Sequence, residues 1–414
     1  MEIHQADPVV ARLIQKEKER QESTLSLIAA ENVAPEAVLE AVGSCFNNKT
    51  AEGYPGRRYH TGCEVTDEIE TLAVQRAQAL FGAQHANVQP HSGVSANLAV
   101  YGAVLNPGDR IMGLKLSHGG HLSHGDPASI TGRIFQVSHY GVHPKTELLD
   151  YDAIRDLART FRPRMIVAGA SSYPRLIDYS ILRSIADEVS AYFLVDMAHI
   201  AGLVAARVIP SPVPHAHFVT FTTYKTMMGP HGGVILCQGE FAKKIDRAVF
   251  PGTQGTPTLS LVAGKAVCFH LAGTSRFRRI QERTLRTART LAQDLSARGY
   301  RLVTGGTENH LILVDLRSKG LKGDRAEAAL AAAGILGNRN AIPFDPEPIQ
   351  ATSGLRLGTA GTSARGLEDG EMKIIARWID EILSDPESVS IQQRIREEVR
   401  ELCRIFPLQK REER

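Results

Sequence analysis

Lys225 lies inside the stretch HFVTFTTYKTMMGPHGG, residues 217–233, where a strand-like run gives way to a Gly-Pro and Gly-Gly turn. Phe218, Val219 and Phe221 alternate with Thr220 and Thr222, which reads as a half-buried strand, so the lysine stands just past a strand end. In an open α/β sheet that edge is where ligands bind, and a lone amine flanked by threonines suits a Schiff base. The plainer alternative is a surface lysine with a snorkelling stem. Upstream, YFLVDMAH (residues 192–199) is an apolar strand ending in Asp196. A carboxylate at one strand end and a lysine at a neighbouring one are the two fixed points of a pyridoxal phosphate site. The first holds the pyridine nitrogen and the second the aldehyde carbon.

Two further stretches carry chemistry. LSHGGHLSHG, residues 116–125, spaces His118, His121 and His124 by three. Its glycines exceed what a ligand helix tolerates, and no carboxylate or cysteine is expected beside the histidines, so an imidazole stacked on a flat cofactor is preferred to a metal site. Pro90-His91-Ser92-Gly93 is a turn opening a helix, which gathers backbone N–H groups and the positive end of a helix dipole, a phosphate site. Ser-Gly also caps helices for structural reasons alone. The loop NNKTAEGYPGRRYHTG, residues 47–62, has no periodicity and is long enough to be a binding loop.

The elements that must position these residues read as α/β. Residues 8–40 look helical, interrupted at Ala34-Pro35, with a new helix at Glu36–Val42. A helix over 68–81, a strand over 86–89 and a helix over 94–105 follow. Strands are expected at 110–116, 133–137, 165–169, 192–195, 218–222 and 234–237, with helices between several of them, which implies a mostly parallel sheet covered on both faces. A break is expected near Gly264–Thr274. Beyond it come a helix over 275–298, strands over 310–316 and 355–358, and helices over 325–333, 371–383 and 388–406. The expected organisation is an N-terminal helical arm (1–30) packing on a partner surface, a large α/β domain (31–273) and a smaller C-terminal α+β domain (274–414).

With 414 residues, 43% of them hydrophobic, the chain has material for a large core. A net charge of +3 gives no case for a nucleic-acid partner, and the short basic tail at 410–414 reads as solvated chain. Five scattered cysteines without a CxxC, and no apolar run of signal or membrane length, lead to the expectation of a soluble cytoplasmic protein.

The motifs AENVAP, AEGYPGRRY, NVQPHSG, HGGHLSHG, VDMAHIAGLVAA, TTYKT, VFPGTQG, GGTENHLILVDL and TSGLRLGT occur in this order. Together they resemble the serine hydroxymethyltransferases, fold-type I pyridoxal-phosphate enzymes, from about residue 19 to about residue 383. The resemblance implies a large, mostly parallel seven-stranded-type sheet domain with a smaller α+β domain. It also implies a homodimer, or a tetramer made of two such dimers, with active sites shared between subunits. Carried over by position, it makes Lys225 the Schiff-base lysine and Asp196 the partner of the pyridinium nitrogen. His121 would stack on the ring, with His199 beside the phenolic oxygen. Ser92, Gly93, Val94, Ser171 and Thr222 match phosphate-side or ring-side positions, and Gly255 matches a loop from the other subunit. Arg356 matches the arginine for the substrate carboxylate, Glu52 the acid–base carboxylate with Tyr59 beside it, and Leu116, Gly120, Leu122 and Asn340 the pterin site of tetrahydrofolate. The types suit the chemistry. Breaking Cα–Cβ of a β-hydroxy amino acid through a glycyl quinonoid needs a protonated pyridine, which an ionised Asp196 enforces. An arginine fork fixes a carboxylate rigidly, and a carboxyl at Glu52 can move the hydroxyl proton.

The chain departs from the family pattern at substrate-facing Thr50 and His60-Thr61, and around the cofactor at Val94, Tyr224 (family His) and His231 (family Arg). Thr253 and Thr256 replace glycines, and Phe344 replaces a pterin-side asparagine. Three readings stay open: serine/glycine hydroxymethyl transfer with tetrahydrofolate in one-carbon metabolism, a threonine- or serine-dependent transaldolase acting on another aldehyde, and an inactive binding homologue.

Overall fold

The computed structural model describes residues 2–408, so the basic tail at 410–414 lies outside the described residues. The chain divides into two units, Ala34–Glu282 with Ile342–Phe344, and Met1–Val33 with Arg283–Ala341 and Asp345–Arg414. No helix among the described residues is long and apolar enough to cross a membrane.

The first unit is built on a seven-stranded sheet. Its strands are β1 (His85–Asn87), β2 (Arg110–Leu114), β3 (Gln136–Tyr140), β4 (Met165–Ala168), β5 (Tyr192–Asp196), β6 (Phe218–Thr222) and β7 (Gly233–Cys237). Their spatial order is β1-β7-β6-β5-β4-β2-β3. Only β7 runs against its neighbours; β2 to β6 are parallel. In β4, β6 and β7 every residue is buried, as expected of central strands covered on both faces. The half-buried reading of residues 218–222 is therefore corrected. Thr220 is tolerated inside because its hydroxyl donates to Asn97 Oδ1 at 2.6 Å.

Two further boundaries change. Residues 130–134 form a helix capped by Ser129 rather than the start of a strand, and the strand falls at 136–140, where Gln136 takes its register against Arg110. The expected break near 264–274 is a continuous helix, Leu259–Ala272, that ends at Gly273. Gly264 is there for close packing, not as a breaker, since a Cβ would come within 2.9 Å of Val42 and 3.0 Å of Pro230.

The second unit holds a four-stranded antiparallel sheet in the order Arg301–Leu302, Leu311–Asp315, Gly354–Gly358, Asn338–Asn340. Helices Asp369–Ser384 and Val389–Ile405 contribute Trp378, Ile379, Ile395 and Val399 to its core, beside Ile312 and Leu357. The expected helix over 8–40 is shorter than its pattern. It starts at Pro8 behind Asp7, whose carboxylate accepts from Val9 and Val10, and it stops at Glu22. Leu25 and Ser26 then pair in parallel with Ile335 and Leu336, and Leu25 and Leu27 are fully buried. Burying those side chains in this core outweighs the helical propensity of residues 23–33.

Candidate active site

Because β1, β2, β4, β5 and β6 point the same way, the chain that follows each of them leaves from one edge of the sheet. That edge receives the 90–93 turn, the histidine loop, Ser171, Asp196 and the segment carrying Lys225, and in such sheets it is the ligand edge.

Asp196 closes β5 and is buried. Its Oδ2 accepts from Asn97 Nδ2 at 2.9 Å and faces His124 Nε2 at 3.1 Å, while Oδ1 accepts from the Ala198 amide at 3.0 Å. Burial pushes this carboxyl up, but the hydrogen bond and charge of His124, then His121 and Asn97, outweigh it and hold the group well below the usual carboxylate range. The sequence reading that no carboxylate lies near the histidines is overturned, because the β5 end brings Asp196 to the loop that follows β2. His121, His124 and Asp196 offer ligand atoms within 4.8 Å of one another. Those of His124 and Asp196 are spent on each other, and His121 Nδ1 accepts from the Ser123 amide at 3.2 Å. Burial pushes His121 down to about 4, against the pull of Asp196, so its ring is neutral near pH 7. Asn97 and His124 are the partners that sequence reasoning missed. The signal for Asn97 was a lone amide in the apolar helical run ANLAVYGAV.

Lys225 is 7% exposed, which excludes the surface-lysine alternative. Its backbone is fixed by its neighbour Thr226. The Thr226 hydroxyl donates to His199 O at 3.0 Å and accepts from Gly202 N at 2.9 Å, and the Thr226 carbonyl accepts from Gln281 Nε2 at 2.9 Å. The same threonine therefore anchors buried His199. Tyr224 stacks on His231 with ring centroids 4.0 Å apart and planes at 12°, so two departures from the family pattern form one contact. Burial, then the charge of Asp196, pushes the Tyr224 phenol up.

Ser92 caps the helix Gly93–Val104 through a reciprocal pair with Ser95. Gly93 has no room for a side chain, since a Cβ would lie 2.7 Å from the Thr222 methyl. The Thr222 hydroxyl is buried and has no partner among the described residues. A capped helix N-terminus, a glycine cradle and an unspent hydroxyl fit a phosphate group. Val94, in the first turn, is 42% exposed. Ser171 is held by its amide, which donates to Gly119 O at 2.7 Å.

A second constellation gathers around Glu52. The Tyr59 amide donates to Glu52 O at 3.0 Å, the Glu52 amide reaches His60 Nδ1 at 3.4 Å, and a Cβ on Gly255 would lie 3.3 Å from Glu52 Oε1. The Thr256 hydroxyl, at a family glycine, accepts from Ala51 N at 2.9 Å, and Lys49 bridges the carbonyls of Thr50 and Thr61. Beneath this loop Arg58 is buried. It donates to Glu70 at 2.6 Å, to Asp67 at 2.8 Å and to Gly53 O at 2.8 Å, which fixes the small hairpin of Gly53–Tyr54 and Arg57–Arg58 on the helix Glu64–Phe81. Such a pair positions more than it stabilises. Thr50, Tyr59 and His60 are exposed, Tyr59 at 76%.

In the histidine loop Gly120 is obligatory, since a Cβ would lie 2.0 Å from Leu114 O. Leu116 opens the short turn that ends at His118, and Leu122 is exposed. Phe344 packs on the His118 ring at 4.7 Å. Arg356 and Asn340 belong to the second unit. Arg356 sits on the strand Gly354–Gly358 and donates from Nε to Asn338 at 3.0 Å. Burial pushes it down to about 10, so it stays cationic near pH 7. Asn340 donates to Ala341 O at 2.7 Å. A family model described as serine hydroxymethyltransferase matches residues 3–379 of the chain.

Proposed function

Because the chain belongs to the serine hydroxymethyltransferase family, whose members are pyridoxal-phosphate-dependent transferases, we propose that it exchanges serine and glycine with tetrahydrofolate as the one-carbon carrier. The observation that carries this reading is the pairing of Asp196, buried and ionised at the end of β5, with Lys225, buried just past the end of β6. When bound, the cofactor supplies an electron sink for the pair released from Cα–Cβ.

The chain's own residues do the rest. Lys225 would hold the aldehyde carbon and Asp196 would keep the pyridine nitrogen protonated. His121, neutral, would lie against the ring, with His199 and Ser171 toward its polar edge and Tyr224 beside Lys225. Ser92, Gly93 and Thr222 hold the phosphate, with Val94 alongside. Arg356 grips the amino-acid carboxylate, and Glu52, with Tyr59, moves the hydroxyl proton. Leu116, Gly120, Leu122 and Asn340 receive the pterin. The exposure of Thr50, Tyr59 and His60 in a single chain supports a homodimer in which this loop and Gly255 complete the partner's site. Five free cysteines are in keeping with a reducing cytoplasm.

Arg356→Lys keeps the charge but removes the fork, so glycine binding to the holoenzyme should weaken by roughly 2 kcal/mol or more in a spectral titration. Unchanged affinity would remove Arg356 from the substrate site.

A second reading, the transaldolase, draws on two contacts. The Tyr224–His231 stack replaces polar family residues beside Lys225, and Phe344 puts an apolar ring on His118 where a pterin-side amide is common. One titration separates the readings. Tetrahydrofolate added to the glycine complex should give a saturable rise in long-wavelength absorbance and faster exchange of the glycine Cα proton into deuterated water. A flat response in both, with turnover of threonine rising when a bulky aldehyde is supplied, would give the site to the transaldolase.

A further inference from the structure

Lys265 lies in the middle of the helix Leu259–Ala272 and is 2% exposed. Its Nζ donates to Val88 O at 2.6 Å, Gly233 O at 2.9 Å and Pro90 O at 3.1 Å. Three carbonyl acceptors call for three N–H donors, which an ammonium has and an amine lacks. Every one of these bonds ends on a neutral carbonyl, and the carboxylate that attracts the charge, Glu70, is already paired with Arg58. Burial pushes the group down to about 7, against the attraction of Glu70, so its charge is costly to keep.

The surroundings are shaped to this side chain. Gly232 admits it, since a Cβ there would lie 2.4 Å from Lys265 Cε. Gly233 donates its amide to Pro90 O at 2.9 Å, and a Cβ on it would lie 2.1 Å from Ser92 O. The lysine thus ties the segment after β1 to the first residue of β7, and that segment runs directly into Ser92 and Gly93. The Thr222 methyl lies against Gly93, and the hydroxyl of the same residue is buried with no partner among the described residues. The buried cation holds Pro90 O, two residues before Ser92, and the residue that carries the unspent hydroxyl packs on Gly93, the residue after it.

We propose that Lys265 is the positioning residue of an anion cup at Ser92, Gly93 and Thr222, and that its charge is what makes this cup select a phosphate monoester over the unphosphorylated ligand. The proposal rests on the reading that these residues hold the cofactor phosphate. A dianion at the cup offsets the cost of the buried ammonium, and the ammonium in turn strengthens the field of the helix N-terminus.

The test compares pyridoxal phosphate, pyridoxal and inorganic phosphate by calorimetric titration of cofactor-stripped full-length protein. Pyridoxal engages Lys225 and Asp196 but not the cup, so it reports on everything except the phosphate. Lys265→Met should lower the preference for pyridoxal phosphate over pyridoxal by at least about tenfold and weaken inorganic phosphate likewise, with pyridoxal affinity within about twofold of wild type. Should the methionine variant fail to fold, Lys265→Gln, which keeps two donors but no charge, is read the same way. A preference that survives, or equal losses for pyridoxal and pyridoxal phosphate, would overturn the proposal and leave Lys265 a structural clip. Wild-type protein that binds pyridoxal phosphate no better than pyridoxal would overturn it too, whereas wild type that binds neither would instead refute the cofactor reading.

Discussion

Lys225→Ala protein should be colourless where wild type is yellow, and cleavage of serine or threonine should fall by roughly 10²–10⁴-fold or more, the range for removing a positioned acid–base group, with the covalent anchor lost as well. The size of the effect follows from burial. An amine that is 7% exposed and backed by a turn pinned through Thr226 is in place before any ligand arrives. Lys265, also buried, is committed to the carbonyls of Val88, Pro90 and Gly233 and cannot substitute. Borohydride reduction of the wild-type holoenzyme followed by peptide mapping checks the assignment. The label should appear on the peptide containing Lys225, and a label on any other lysine would sink it. An untagged, colourless wild type would favour the inactive binding homologue.

Asp196→Asn should keep the cofactor through Lys225 yet lower turnover by roughly 10²–10³-fold, the scale of losing one preorganised electrostatic partner. The amide is nearly isosteric but cannot satisfy the site. With its oxygen toward Asn97 and His124, its NH₂ faces the Ala198 amide, donor against donor, and with the amide reversed it faces the Asn97 NH₂. A cost of about 1–3 kcal/mol in stability should therefore accompany the loss of rate. Asp196→Glu keeps the charge, so it separates the two effects. Turnover restored in part by Glu with stability still reduced assigns the rate loss to charge, whereas Asn at full turnover would remove Asp196 from the chemistry. The sign of the acid dependence follows from the depressed pKa. The stability that Asp196 contributes is fully present above the ordinary carboxylate pKa and is lost as pH falls through its lower folded value.

Much of the site was legible in residue types and local spacing. The strand run ending before Lys225, the apolar run ending in Asp196 and the Ser92 cap each announce themselves within a few residues, because strand periodicity and capping are local properties of the chain. Those signals predicted the α/β sheet and the capped turn at Ser92, to which the phosphate is assigned by proposal, and the ordered motifs predicted the family.

Tertiary structure decided the remainder. His124 and Asn97 reach Asp196 from other parts of the chain, and neither spacing nor composition reveals such partners. Thr220 looked like the wet side of a half-buried strand until Asn97 supplied its hydrogen bond inside the sheet. Gly264 looked like a breaker, yet in the helix it is the only residue type that lets Val42 and Pro230 come so close. Residues 23–33 carried a helical pattern, but pairing Leu25 with Ile335 buries them better than a longer helix would. Lys265 sits in an apolar helix whose sequence gives no hint of the three carbonyls that surround it. In each case local sequence records what a residue prefers, whereas the sheet topology determines which distant groups arrive to satisfy it, and burial makes the second term the larger.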